Sequence, residues 1–114
     1  MPYYPAAVGS PLTLFKTGAH LTCVFPSQGR EERLVSTSPR TLTRDDGSFS
    51  GEACRYTITQ VDPYWSRLSV RSTVLGGTAY DIEISFDAKY NGQCVLYESG
   101  SKPLFGEVAY TPPL

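Results

Sequence analysis

Residues 68–87 carry a strand pair that fixes its own register, and this constrains the fold more than any other stretch. Leu68, Val70 and Val74 alternate with Arg67, Ser69, Arg71 and Thr73; after Gly76-Gly77, Tyr80, Ile82, Ile84 and Phe86 alternate with Asp81, Glu83 and Asp87. Alternation with period two sends successive side chains to opposite faces of a strand. A turn centred on Gly77 puts the apolar residues of both arms on one face. It also sets Arg71 opposite Glu83 and Arg67 opposite Asp87. A slip of one residue would bury Arg71 and Glu83 beside Val70 and Ile82. Exposed ion pairs contribute only about 0–1 kcal/mol each, against roughly 1.5–3 kcal/mol for a fully buried large apolar side chain, so burial sets the register.

The rest of the chain repeats the strand signal. No segment sustains a 3.6-residue period. Short alternating or β-branched runs at 12–15, 19–25, 33–37, 41–43, 49–61, 93–98 and 104–110 are separated by glycine, proline, asparagine and aspartate. Short links favour antiparallel neighbours. The expected fold is all-β: an antiparallel meander closing into a β-barrel of about eight strands, because closure removes exposed edges. A two-sheet β-sandwich is the alternative. The 114 residues make one domain. Residues 1–10 and 111–114 read as extended tails, and Pro39 assigns its flanks an edge or loop role.

Extending the register backwards pairs Ile58 with Val70, Tyr56 with Ser72 and Cys54 with Val74. The inner surface then has one greasy end, with Gln60 beside Leu68 and Phe86, and one end bearing hydroxyls. Small Ser72 between Tyr56 and Ile82 leaves space, and the nearby phenols need hydrogen-bond partners. The candidate ligand-binding set is Tyr56, Ser72 and Tyr80, orienting a polar group, with Cys54, Ile82, Ile84 and Phe86 as the wall. Glu52 lies on the same face one pair further up. It reads either as an exposed strand end or as a rim carboxylate forming a weak acid–base pair with Tyr56. A second candidate is an interaction rim. Tyr64, Trp65 and Tyr90 fall in loops at one end, opposite Gly76-Gly77, where they could meet a ligand or partner or plug the core. Tyr3 and Tyr4 could dock on this domain or another subunit.

Composition excludes several classes. A formal net charge of -1 lacks the electrostatic footprint of a nucleic-acid binder. Arg30, Arg33, Arg40 and Arg44 are offset by Glu31, Glu32, Asp45 and Asp46, which reads as a solvated mixed face. No run approaches the roughly 20 apolar residues of a membrane span. The N-terminus lacks a leader's basic and apolar regions, so the expected location is cytoplasmic, or secreted if a signal has been removed. Cys23, Cys54 and Cys94 form no Cys-x-x-Cys pair, arguing against zinc and dithiol chemistry. They read as buried, reduced thiols, or as one disulfide and a free thiol in a secreted protein. His20, the sole imidazole, lies on the face opposite Leu21 and Cys23 and reads as a surface residue rather than a catalytic base. Asp45-Asp46-Gly47 lacks the ligand ladder of a calcium loop. No metal or cofactor is expected.

The ordered meander, its inward aromatics and its closing Gly106-Glu107-Val108-Ala109-Tyr110 strand resemble the calycin group of small barrels, the lipocalin-like and fatty-acid-binding-like domains. The resemblance covers about residues 49–110. The lipocalin Gly-x-Trp motif is missing, since Trp65 is the only tryptophan and lies mid-chain. The resemblance implies a barrel with a central pocket and assigns no particular residue. The expected function is binding of a small apolar or aromatic molecule in that pocket, with a cofactor-free isomerase or cyclase as a variant. The alternative is a non-enzymatic protein-interaction module (viral, effector or assembly component), or a homo-oligomer, using the aromatic rim or an exposed edge strand.

Overall fold

The computed structural model describes residues 15–45, 51–87 and 90–114. Their strands are β1 (His20–Phe25), β2 (Arg30–Ser38), β3 (Thr41–Asp45), β4 (Glu52–Gln60), β5 (Ser66–Ser72), β6 (Ala79–Phe86), β7 (Asn91–Glu98) and β8 (Leu104–Thr111). Each pairs with its sequence neighbours, and β8 pairs with β1, so the sheet closes into an antiparallel barrel. The expected barrel is present and the sandwich is not. Closure leaves no strand edge free for recognition. Pro39 lies in the turn between β2 and β3, both paired on two sides, so its flanks are wall and not edge. Thr111, expected in the tail, still pairs with His20. Residues 12–14 of the expected first strand, the Phe49 start of the expected strand over 49–61, Asp46-Gly47, and Tyr3 and Tyr4 lie outside the described residues.

Alternating directions give the barrel two different ends. Links after β1, β3, β5 and β7 lie at one end, here the polar end. Links after β2, β4 and β6, with Phe15 and the C-terminus, lie at the other, the aromatic end. Tyr64, Trp65 and Tyr90 are thus together, opposite Gly76-Gly77, as the strand reversals required.

The faces follow the alternation, but the pairing is shifted. Arg67, not Arg71, faces Glu83, and Val70 faces Tyr80. Tyr56 faces Val70 instead of Ser72, and Cys54 faces Ser72 instead of Val74. Shifts by an even number of residues keep every side chain on its face, so the inner set survives while its rows change. The cause is the connection. β5 stops at Ser72, whose N–H donates to Thr78 O at 2.7 Å, and a four-residue turn closes with Gly77 N–H to Val74 O at 3.0 Å. Gly76 takes the left-handed conformation there, φ 79°. Val74 and Leu75 are 67% and 102% exposed, so Val74 leaves the expected inner row. The outer ion pairs become Arg67–Glu83 at 2.6 Å and Arg71–Asp81 at 3.1 Å. Gln60, also expected inside, is exposed at the aromatic end and donates to the Asp62 and Trp65 carbonyls.

Leu21, Leu34, Leu42, Leu68, Val70, Ile82, Ile84 and Leu96 fill the middle of the barrel. Each contributes roughly 1.5–3 kcal/mol by leaving water. The aromatic end is stoppered by Phe15 on Tyr56, ring centroids 5.1 Å apart, and by the series Phe86–Tyr110–Tyr90 at 6.3 and 5.5 Å. Cys23, Cys54 and Cys94 are free and buried. The Cys94 thiol, hydrogen-bonded to Cys23, and burial push the Cys23 thiol well above its ordinary value. β8 runs between the strands of these two residues. Strand spacing puts their Cα atoms about 9 Å apart, beyond disulfide reach. No helix among the described residues is long and apolar enough to cross a membrane.

Candidate functional site

The alternation that fills the core also loads one end of it with charge. Counting back by twos from inward Leu34 reaches Glu32 and Arg30, and counting on from Leu42 reaches Arg44. From Cys54 it reaches Glu52, from Ile82 Tyr80 and Thr78, and from Leu96 Glu98. All of these point into the polar end.

Glu32 is the centre and is 0% exposed. Its Oε1 accepts Arg44 Nε at 2.8 Å and the Tyr80 hydroxyl at 2.6 Å. Its Oε2 accepts Arg44 Nη2 at 2.8 Å and Arg30 Nε at 3.2 Å. Arg44 Nη1 continues to Glu52 Oε1 at 2.7 Å and Thr78 Oγ1 at 3.0 Å. Arg30 Nη1 reaches Glu98 Oε1 at 2.9 Å. Both guanidinium carbons lie 5.8 Å from the Tyr80 ring centroid, in cation–π range. The result is an alternating chain, Glu98–Arg30–Glu32–Arg44–Glu52, in which three carboxylates and two guanidiniums sum to −1. Among the described residues no buried side-chain nitrogen or oxygen lacks a partner.

Burial opposes charge on Arg44, but hydrogen bonds to Glu32 and Glu52 outweigh it and hold the guanidinium above its ordinary value. Burial and then the Glu32 charge drive the Tyr80 phenol far upward, so it stays a donor. Burial, then the Glu52 charge, push the Cys54 thiol up to about 11. Burial acts upward on Glu52 too, yet hydrogen bonds from Thr78, Arg44 and Ser72 win and pull it to about 2.

A depressed carboxylate stabilises the fold above its unfolded pKa and loses that contribution as pH falls through its folded one. Glu52→Gln is therefore expected to be less stable than the parent at neutral pH. The gap should close between about pH 4.5 and pH 2. Urea unfolding across that range measures it, and a gap independent of pH would contradict the assignment.

The structure separates the expected site residues. Tyr80 joins the charged chain, and Ser72 reaches it through Glu52. Tyr56 does not: its hydroxyl is 2.9 Å from Ser36 Oγ and donates to Ser38 O at 2.9 Å, towards the aromatic end. Glu52 is neither an exposed strand end nor paired with Tyr56: its side chain is 16% exposed and is held by Arg44. The space foreseen beside Ser72 is occupied by Gly77, where an added β-carbon would lie 2.4 Å from Ser72 Oγ. The three residues border three different cavities. Tyr56, with Ile58, Phe15 and Pro39, lines about 350 Å³ at the aromatic end. Ser72, with Gly77 and Thr78, lines about 410 Å³ at the polar rim. Tyr80, with Glu98, Tyr97 and Ser101, lines about 320 Å³ nearby. Ile82, Ile84, Phe86 and Cys54 are buried in the wall.

In the aromatic rim, Asp62 Oδ1 accepts the Tyr64 and Trp65 N–H groups, each at 2.8 Å, and Tyr90 stacks on Tyr110. Sequence reasoning missed Arg30, Glu32, Arg44, Thr78 and Glu98. Glu32 and Arg44, expected on a solvated mixed face, are buried against each other. The signal was present: each sits two residues from a core leucine. No protein-family model, curated protein or solved structure matches the chain.

Proposed function

We propose that the protein binds a small organic molecule at the polar end of its barrel, with Glu32 as the acceptor and Arg44 and Tyr80 holding it in place. One observation carries this reading. Three of the four donors to Glu32 come from enclosed side chains at 2.6–2.8 Å. The fourth, Arg30 Nε, is longer at 3.2 Å, and its side chain is 25% exposed at the rim. Arg30 is the partner that an incoming group can replace. A buried ionic network is a poor source of stability compared with apolar packing, which favours a role in recognition.

Charge selects the ligand. With Arg30 displaced from Glu32, the inner group Glu32, Arg44 and Glu52 sums to −1. A cationic or donor-rich head restores the balance, whereas a carboxylate would face Glu32, Glu52 and Glu98. The Tyr80 ring, which the Arg30 guanidinium carbon faces at 5.8 Å, offers a cationic head an aromatic contact once Arg30 is displaced. The closed eight-strand meander supports placing the chain with calycin-like barrels, whose up-and-down members hold ligands inside. A cofactor-free isomerase or cyclase would use the same groups to orient its substrate.

Thermal shifts with benzylamine, benzyl alcohol and benzoate test this. A saturable rise in Tm is expected for benzylamine, a smaller one for benzyl alcohol and none for benzoate. A ligand at 100 Kd stabilises by roughly 2.7 kcal/mol. Arg30→Ala should tighten benzylamine binding and Glu32→Gln should abolish it. An equal response to benzoate, no response to any probe, or an unaltered response in Glu32→Gln would overturn the proposal.

A protein-interaction role finds its support elsewhere, on the outer wall of β7, β8 and β1. The aromatic rim offers less, because Tyr90 is engaged by Tyr110 and Trp65 is half-buried.

A further inference from the structure

The outside of the barrel is divided by charge. The outer faces of β2, β5 and β6 carry paired ions: Glu31 with Arg33, Arg67 with Glu83, Arg71 with Asp81. The outward positions of β7, β8 and β1 are different. They include Phe105, 69% exposed, Val24, 37% exposed, and Tyr97, 40% exposed; Glu107 is their only carboxylate. Phe105 faces Val95, and Glu107 faces both Val24 and Gln93. An exposed phenylalanine near the start of a strand and opposite a valine is unusual on a surface that elsewhere alternates apolar-in and charged-out.

The same wall is grooved. Gly92 has no side chain and Ala109 a short one, and a cavity of about 370 Å³ runs over them between Thr22, Val24, Asp87 and Glu107. Its two carboxylates stand apart from the rest. Glu31, Glu32, Glu52, Asp81, Glu83 and Glu98 are all held by arginines, Asp62 accepts backbone N–H groups, and Asp45 is engaged. Among the described residues, Asp87 and Glu107 alone have carboxylate side chains with no ion pair or hydrogen bond. Every strand is already paired on both sides, so a partner cannot add a strand and must be recognised by side chains.

We propose that this wall docks a polypeptide segment in which a lysine or arginine lies next to an apolar residue. The basic side chain enters the groove between Asp87 and Glu107, and the apolar one covers Phe105 and Val24. The complementarity is specific: a cation is what the two unpaired carboxylates lack, and burying Phe105 supplies the apolar contact that centres such interfaces. This rests on the interaction reading and is independent of ligand binding at the barrel end.

Selection of a random peptide library on the immobilised full chain tests it. Enriched peptides are expected to carry Lys or Arg beside an aromatic or aliphatic residue. Their affinity should fall about tenfold or more on the double change Asp87→Asn, Glu107→Gln, and similarly on Phe105→Ser. It should weaken from about 50 to about 500 mM NaCl, as exposed charge pairs are screened. Tyr64→Ser and saturating benzylamine should leave it unchanged, which separates this surface from the rim and from the barrel end. Three results would overturn the proposal: no enrichment, enriched peptides without basic residues, or binding insensitive to the Asp87/Glu107 change. A fourth is a parent chain that sediments as a dimer and becomes a monomer on Phe105→Ser, which would make the wall a contact between copies.

Discussion

Arg44→Met is expected to destabilise the protein by about 3–5 kcal/mol, the cost of leaving a buried charge without its partner. A domain of this size holds only about 5–15 kcal/mol in total, so the variant should sit near its unfolding threshold at room temperature. The reason is Glu32. It is wholly enclosed and takes two of its four hydrogen bonds from Arg44. Without Arg44 it keeps only Tyr80 and Arg30, whose side chain is 25% exposed. Adding Glu32→Gln to Arg44→Met removes the stranded charge while keeping an acceptor for the Tyr80 hydroxyl. The double variant should therefore recover most of the loss. Urea unfolding of the four proteins in a double-mutant cycle gives the coupling directly. A cost below about 1 kcal/mol for Arg44→Met, the size of an exposed pair, would contradict the enclosed Glu32–Arg44 contact.

The cycle also bears on why the cluster exists. Breaking one partner of a buried ion pair is costly, but replacing both is often neutral. If the double variant matches the parent in stability and no longer responds to benzylamine, the charges are retained for recognition rather than folding. Such separation is expected here because the apolar middle and the aromatic end do not depend on the polar end. Leu34, Leu42, Leu68, Ile82 and Leu96 belong to one apolar cluster that none of the charged side chains joins.

How much of this was legible in the sequence depends on which physical constraint each feature obeys. Inward and outward assignment is a local property, fixed by alternation, and it held for Tyr80, Ile82, Ile84, Phe86, Cys54 and Tyr56. Pairing register is not local. It depended on where β5 stops, and Ser72 stops it by bonding Thr78 across a turn that Gly76 and Gly77 permit. A tight turn at Gly77 gave the same faces, so nothing in the alternation could tell the two apart. The end to which each link belongs was also readable, since strands that reverse must alternate ends. The charged cluster failed for another reason. Net charge over residues 30–46 is nearly balanced both for a solvated surface and for an internal ion-pair chain, and only the parity of Glu32 with Leu34 and of Arg44 with Leu42 separates them. Parity is the stronger signal when the neighbouring core positions are secure. Closure of β8 on β1 could be expected from economy of edges, but its seam depends on a close approach that only the folded backbone reveals.

That seam is where the second large effect is expected. Gly106→Ala should cost at least about 3 kcal/mol, at or beyond the upper end of ordinary over-packing. Gly106 lies on β8 next to Glu107, at the end of its pairing with β1. A β-carbon there would sit 2.2 Å from Val24 O and 2.7 Å from Phe25 Cδ1. The first contact is backbone, so no rotamer change relieves it. The strand must move, and with it the β1–β8 pairing of Val24 with Glu107. Opening that pairing would expose Phe25, which is fully buried, and leave two unpaired strand edges. The expected result is a lower Tm together with self-association at high protein concentration, measured by thermal unfolding and sedimentation. Gly100→Ala is the control. Gly100 has φ 82° and open space around it, so alanine meets only backbone strain, about 1–2 kcal/mol, and should leave the seam intact and the sedimentation of the parent unchanged. If Gly106→Ala costs no more than Gly100→Ala, β8 does not close on β1 as tightly as the register requires.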